Sequence, residues 1–244
     1  RFYQTFCKNG GGVRRVLQKT EKWNPGQRRT YIMNFQVLLE EMLSGAMSTG
    51  MIFGLTLLFA LPLGLILSFG RMSKLKIVRI PIQLYLLVMR GTPLMLQLMF
   101  VFFGLPFVGI VFDRFTACII AFSLNYAAYF AEIYRGGIQS IPQGQYEAAR
   151  VLGFTKGQTF LKIILPQVIK QILPPMGNEF ITLVKDTSLA LTISVIELMN
   201  VTKTFANSAV SVVPYIIAAL FYLVMNGIVT LFFSALEKKL SYYR

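Results

Sequence analysis

Five long apolar runs divide this chain, and the polar segments between them are short and mostly basic. The first run covers residues 45–69 and holds no charge. It exceeds the ~20 residues that a helix needs to cross the ~30 Å hydrocarbon of a bilayer. Arg71, Lys74, Lys76 and Arg79 follow it. The next segment allows two readings. Either one helix runs from residue 77 to about residue 104 with Arg90 inside, or residues 77–89 lie near the cytoplasmic face and residues 92–112 cross. The second is favoured, because residues 92–112 are uncharged and long enough to span. Pro93, Gly104 and Pro106 would bend that run. Asp113 and Arg114 mark a short external turn. A third crossing over residues 115–134 carries Glu132 and Arg135 at its inner end. The fourth, within residues 172–198, is the least apolar, holding Pro174, Pro175, Asn178, Glu179, Lys185 and Asp186. An external segment, 199–213, leads to the fifth run at 214–236.

Between the third and fourth runs lies a polar, basic stretch, residues 141–167. Pro142 suits a first helical turn, where its missing N–H costs nothing. Residues 145–152 are helix formers. Gly153 suits the left-handed position just past a helix end. Thr155 and Gln158 have capping-box spacing for a second helix. Phe160, Ile163 and Ile164 share one face of it, and Pro166 then breaks or kinks it. The stretch therefore predicts a helix–turn–helix knob outside the membrane.

Composition narrows the function. Of 244 residues, 55% are hydrophobic, which points to a membrane protein. The net charge of +14 then reflects basic residues collected in cytoplasmic loops, not a nucleic-acid partner. There is no His, which excludes His-based acid–base chemistry and His metal ligands. Cys7 and Cys118 have no metal or redox spacing. No Walker A, dinucleotide-binding or nucleophile-elbow motif is present, so ATP would be hydrolysed on another chain. No catalytic residue, metal site or bound cofactor is expected here. Residues 1–44 read as a poorly ordered basic tail ahead of a transmembrane domain over residues 45–244. Lys238, Lys239 and Arg244 place the C-terminus inside, and five spans then put the N-terminus outside, against the basic character of the tail.

Charges within a bilayer are costly, about 2.5–3.5 kcal/mol each on insertion scales. Lys185 and Asp186, followed by Thr187 and Ser188, lie mid-way along the fourth run. They line a polar path or hold helices together. Neighbouring helical residues point ~100° apart, so the two charges do not pair with each other alone. Arg90 stands before Gly91 and Pro93. It faces a substrate carboxylate or Glu179, or the helix break is the whole purpose of the segment, which is the favoured reading. Asn125, Tyr126 and Tyr129 share a polar side of the third run and line the path or pack helices.

Several of these segments carry a family resemblance. Glu147-Ala148-Ala149, then three residues, Gly153, nine residues, and Ile163-x-Leu165-Pro166 resemble the EAA loop of permease subunits in binding-protein-dependent ABC importers. Arg90-Gly91-Thr92-Pro93, residues 131–138 and Lys185-Asp186-Thr187-Ser188 resemble segments of the polar amino acid branch. The resemblance implies an all-α membrane protein of about five transmembrane helices, with type I importer architecture and a cytoplasmic coupling loop. It implies docking of an ATPase through Glu147, Ala148, Ala149, Gly153, Leu165 and Pro166. It further implies a bacterial-type cytoplasmic membrane, a second permease copy or paralogue, two ATPase subunits carrying ATP and Mg, an external binding protein and an amino acid substrate. A secondary transporter or channel without an ATPase is the alternative, and a membrane-embedded enzyme is disfavoured by the absent His and paired-carboxylate motifs.

Overall fold

The structure is a computed structural model that describes residues 35–240. Most of the basic tail, Cys7 and Arg244 lie outside the described residues. The described residues form nine α-helices and no strand. They are α1 (Phe35–Arg71), α2 (Lys76–Gly91), α3 (Leu94–Met99), α4 (Arg114–Gln139), α5 (Gln143–Val151), α6 (Lys156–Gln158), α7 (Leu165–Asp186), α8 (Leu198–Ala209) and α9 (Val213–Leu240). A π turn (Phe100–Gly104) and a 3-10 turn (Leu105–Val108) extend α3. A π turn (Thr159–Ile164) joins α6 to α7, and a 3-10 turn (Thr187–Ile193) prolongs α7.

α1, α4 and α9 are each long and apolar enough to cross a membrane. α2 and the Leu94–Val108 segment together count as a fourth, bent by 107° at the break between them. The bend excludes a single straight helix through Arg90. α7 is the polar fifth, and its 22 residues rise ~33 Å, enough to cross the hydrocarbon.

α1 and α4 form the central pair. Lipid tails are as apolar as leucine, so helices in a bilayer associate by close packing rather than by escape from water. α1 supplies a stripe of mostly small residues for this: Gly45, Thr49, Ile52, Thr56, Ala60, Gly64 and Ser68, all buried. At Gly64 an added Cβ would lie 2.8 Å from Phe130 Cβ and 3.0 Å from the Ala127 carbonyl. The other half of α1 packs on α8, where a Cβ at Gly45 would sit 3.0 Å from Leu198 Cα. There the Thr49 hydroxyl accepts the Leu198 N–H at 3.2 Å. α4 is the most enclosed span, and Cys118 within it is fully buried. α9 is peripheral and presents an apolar face outward.

Two boundaries differ from the sequence reading. The first helix begins at Phe35, before position 45, because Leu38 and Met42 pack with Leu198, Val201 and Phe205 of α8. Glu40 and Glu41 ended the apolar run in the sequence without ending the helix. The fourth run does not continue as helix to residue 198. Ser194 turns the chain with φ +57°, and most of the external segment is α8. Asp113 caps α4 as the turn signal implied. Its Oδ2 accepts the Phe115 and Thr116 N–H groups at 3.1 Å, and its Oδ1 accepts the Thr116 hydroxyl at 2.5 Å. The Thr116 hydroxyl, aided by these N–H groups, holds the Asp113 carboxyl below its ordinary range.

Gly64→Val should wedge α1 from α4. The overpacking should cost about 1–3 kcal/mol, read as a lower melting temperature of the purified protein in detergent, with no comparable loss for Gly50→Ala, where an added Cβ meets nothing.

Candidate functional site

The site begins at the break between α2 and α3. Pro93 has no N–H to give, and it forces Thr92 into extended backbone, φ −120° and ψ 147°. The carbonyls of Met89 and Thr92 thereby lose helical partners. At membrane depth an unpaired carbonyl costs several kcal/mol. Two side-chain amides replace the lost bonds. Gln97 Nε2 lies 3.0 Å from the Met89 carbonyl, 3.1 Å from the Thr92 carbonyl and 2.7 Å from Thr92 Oγ1. Asn125 Nδ2, from α4, donates to the Met89 carbonyl and to Gln97 Oε1, both at 2.9 Å. Asn125 is 3% exposed. Its amide holds the break. Gln97 was not singled out from the sequence, since a glutamine in an apolar run has no motif.

Arg90, in the last turn of α2, meets a charge cluster. Its guanidinium lies 3.7 Å from Glu132 and 5.6 Å from the ring centroid of Tyr129. It forms no ion pair with Glu179, the protein partner weighed from the sequence. Glu132 instead collects three arginines. Arg135 donates to it at 2.7–3.2 Å, and Arg71 from α1 stands 3.6 Å away. Arg71 and Arg90 are too far for hydrogen bonds to this carboxylate, so their donors remain available to a cleft of about 420 Å³ that both line. Glu132 and Arg135 had been read as the inner end of a span and as part of the 131–138 resemblance, not as a charge cluster. The missed signal was one acid set among cations from three segments.

Asp186 accepts the Tyr126 hydroxyl at 2.8 Å. Lys185 is exposed, and the two do not lie within ion-pair distance. Thr187 and Ser188 donate to the Val184 and Lys185 carbonyls, each at 2.7 Å. Thr187 is fully buried and closes the last turn of α7. The Tyr126 and Tyr129 rings lie 6.2 Å apart. Arg90 and Asp186 thus occupy the two ends of one tyrosine pair. Glu197, also unremarked in the sequence, is buried as the cap of α8, accepting the Met199 and Asn200 N–H groups at 2.8 and 2.7 Å.

The knob has the expected form. α5 ends in paired reverse bonds, Phe154 N–H to Ala149 O and Gly153 N–H to Arg150 O, both 3.0 Å, with Gly153 at φ +79°. Thr155 and Gln158 cap α6 reciprocally. Glu147 and Ala148 are exposed, but Ala149 is 1% exposed and packs internally, so it is not a free contact. Pro166 does not break the chain of helix. It sits in the first turn of α7, directly after the π turn, and the helical backbone continues through it. Leu165 and Pro166 are half-buried.

Residues 60–242 match the family described as "Binding-protein-dependent transport system inner membrane component". The chain belongs to this family. It is 40% identical over 217 residues to the "Probable amino-acid ABC transporter permease protein YckA" of Bacillus subtilis (strain 168), covering 87% of this chain and 96% of that one. It is 39% identical over 191 residues to the "L-cystine transport system permease protein TcyB" of the same strain, covering 78% and 82%. A chain of a crystal structure titled "Crystal structure of an amino acid ABC transporter with histidines" superposes with TM-score 0.77 and 35% identity, over 82% of this chain and 94% of that one. A chain of the inward-facing MetNI methionine ABC transporter shares the fold at TM-score 0.64 and 17% identity, over 83% and 95%. The protein is therefore a multi-pass inner-membrane permease subunit of an ABC importer, built on the architecture that the EAA-like loop implied.

Gln97→Leu should leave the Thr92 carbonyl without its amide partner. A loss of about 1–3 kcal/mol is expected, measured as a lower melting temperature. Gln97→Glu, which keeps size but cannot donate, should fall in the same direction.

Proposed function

We propose that this permease passes polar or charged amino acids. The observation that carries the reading is the placement of Arg90 and Asp186 at opposite ends of the Tyr129–Tyr126 pair. A free amino acid carries a carboxylate and an ammonium, and one basic and one acidic group on the same path meet both. The relatives named for amino-acid and cystine transport support the same class. Ser188 and Lys185 belong to the same rim, being half-buried and exposed. Asn125 and Thr187 act behind it by holding backbone.

The working assembly is a pair of permease subunits, identical or paralogous, with two ATPase subunits that carry ATP and Mg and an external binding protein that delivers substrate. Glu147, Ala148 and Gly153 present the knob to an ATPase, with Ala149, Leu165 and Pro166 shaping it from within. The knob and the C-terminus lie on the cytoplasmic side and the N-terminus outside. Three basic segments support that orientation: residues 71–79, residues 135–170, and Lys238 with Lys239. The runner-up, a secondary transporter or channel working without an ATPase, is disfavoured by membership of a binding-protein-dependent family. An ATPase retained on purification of the chain from its own host separates the two.

Gly153→Val places a β-branched residue at positive φ, which is strongly disfavoured. Glu147→Lys reverses an exposed charge on the knob. Both variants should insert normally but lose most substrate-stimulated ATP hydrolysis in proteoliposomes. Wild-type hydrolysis in both would end the docking role. Asp186→Asn should lower transport at least tenfold while the melting temperature and ATPase retention persist, since Tyr126 keeps an oxygen to donate to. Full transport would remove Asp186 from the path.

A further inference from the structure

α2 carries a surface that neither the fold nor the transport site uses. One face of the helix packs inward, where Ile82, Tyr85 and Met89 join Leu86 against Ala128 and Ala131 of α4. A second face is apolar and open: Ile77 is 82% exposed, Ile80 55% and Leu84 61%. At the N-terminal end of this open face the charge is entirely basic. Residues 71–79 hold Arg71, Lys74, Lys76 and Arg79 and no acid. Arg71 is engaged by Glu132, but among the described residues Lys74, Lys76 and Arg79 enter no ion pair. The Arg79 Nε is buried without a hydrogen-bond partner. The helix start adds to the same sign, with no acidic residue in its first turn and no side-chain cap from Leu75.

We propose that this surface binds an anionic phospholipid, the phosphate resting among Lys74, Lys76 and Arg79 and an acyl chain meeting Ile77, Ile80 and Leu84. The charge selects lipid over a second copy of the chain. A two-fold interface meets its own surface, which would set this basic cluster against itself with no acid to offset it. Anionic headgroups offset it directly, since basic residues beside a bilayer are attracted to its negative surface.

The inference goes beyond the transport reading, and its readout is independent of transport. The intact protein, purified with its associated subunits, is melted in detergent with added phosphatidylglycerol or phosphatidylcholine. Phosphatidylglycerol should raise the melting temperature and phosphatidylcholine should not. The Lys74→Gln/Lys76→Gln variant should lose at least half of that rise, and Lys74→Arg/Lys76→Arg should retain it. An equal rise in the Gln variant overturns the proposal. So does an equal rise of the unaltered protein with inorganic phosphate, which would mark a free-anion site. Efficient disulfide formation between copies carrying Ile80→Cys in membranes would assign the face to a second permease and also overturn it.

Discussion

Inside hydrocarbon a backbone carbonyl has no water to bond, and this constraint governs how the chain may leave a helix. The Arg90-Gly91-Thr92-Pro93 break is possible only because Gln97 and Asn125 supply amide donors to the Met89 and Thr92 carbonyls. The π turns at Phe100–Gly104 and Thr159–Ile164 are milder departures that keep the backbone helical. The break sets the direction of α3, 107° from α2.

Charge follows the same economy. The three ion pairs among the described residues all share one acid, Glu132, and draw arginines from α1, α2 and α4. One carboxylate therefore joins three elements at their loop-proximal ends. Because Arg135 takes the short hydrogen bonds, Arg71 and Arg90 keep donors facing the cleft. A cluster with more cations than anions is costly in isolation, and it suits a permease whose substrate carries a carboxylate. At the other end of the tyrosine pair Asp186 is held by the Tyr126 hydroxyl and forms no ion pair among the described residues.

Close packing without a hydrophobic drive explains the small-residue stripe of α1. Gly64 and Gly45 are each placed where a Cβ would strike backbone of a different partner, α4 and α8 respectively. One helix is thus fitted to two neighbours along its length. This is why its structured part extends past Glu40 and Glu41, which ended the run on hydropathy alone.

The sequence by itself determined the apolar runs, the helix break, the form of the knob and the family. Each rests on local chemistry: an uncharged stretch long enough for a bilayer, a proline without an N–H, a glycine at positive φ, and a reciprocal Thr155–Gln158 cap. Tertiary structure decided which polar residues are enclosed. Asn125 and Thr187 are as polar as Ser188 and Tyr129, but they are buried, and Asn125 meets a carbonyl 36 residues away in the chain. It also decided that Arg90 meets Glu132 rather than Glu179, and that Ala149 is internal while Ala148 is not. Such choices depend on which helices lie side by side, and hydropathy and spacing along a single chain carry no record of that.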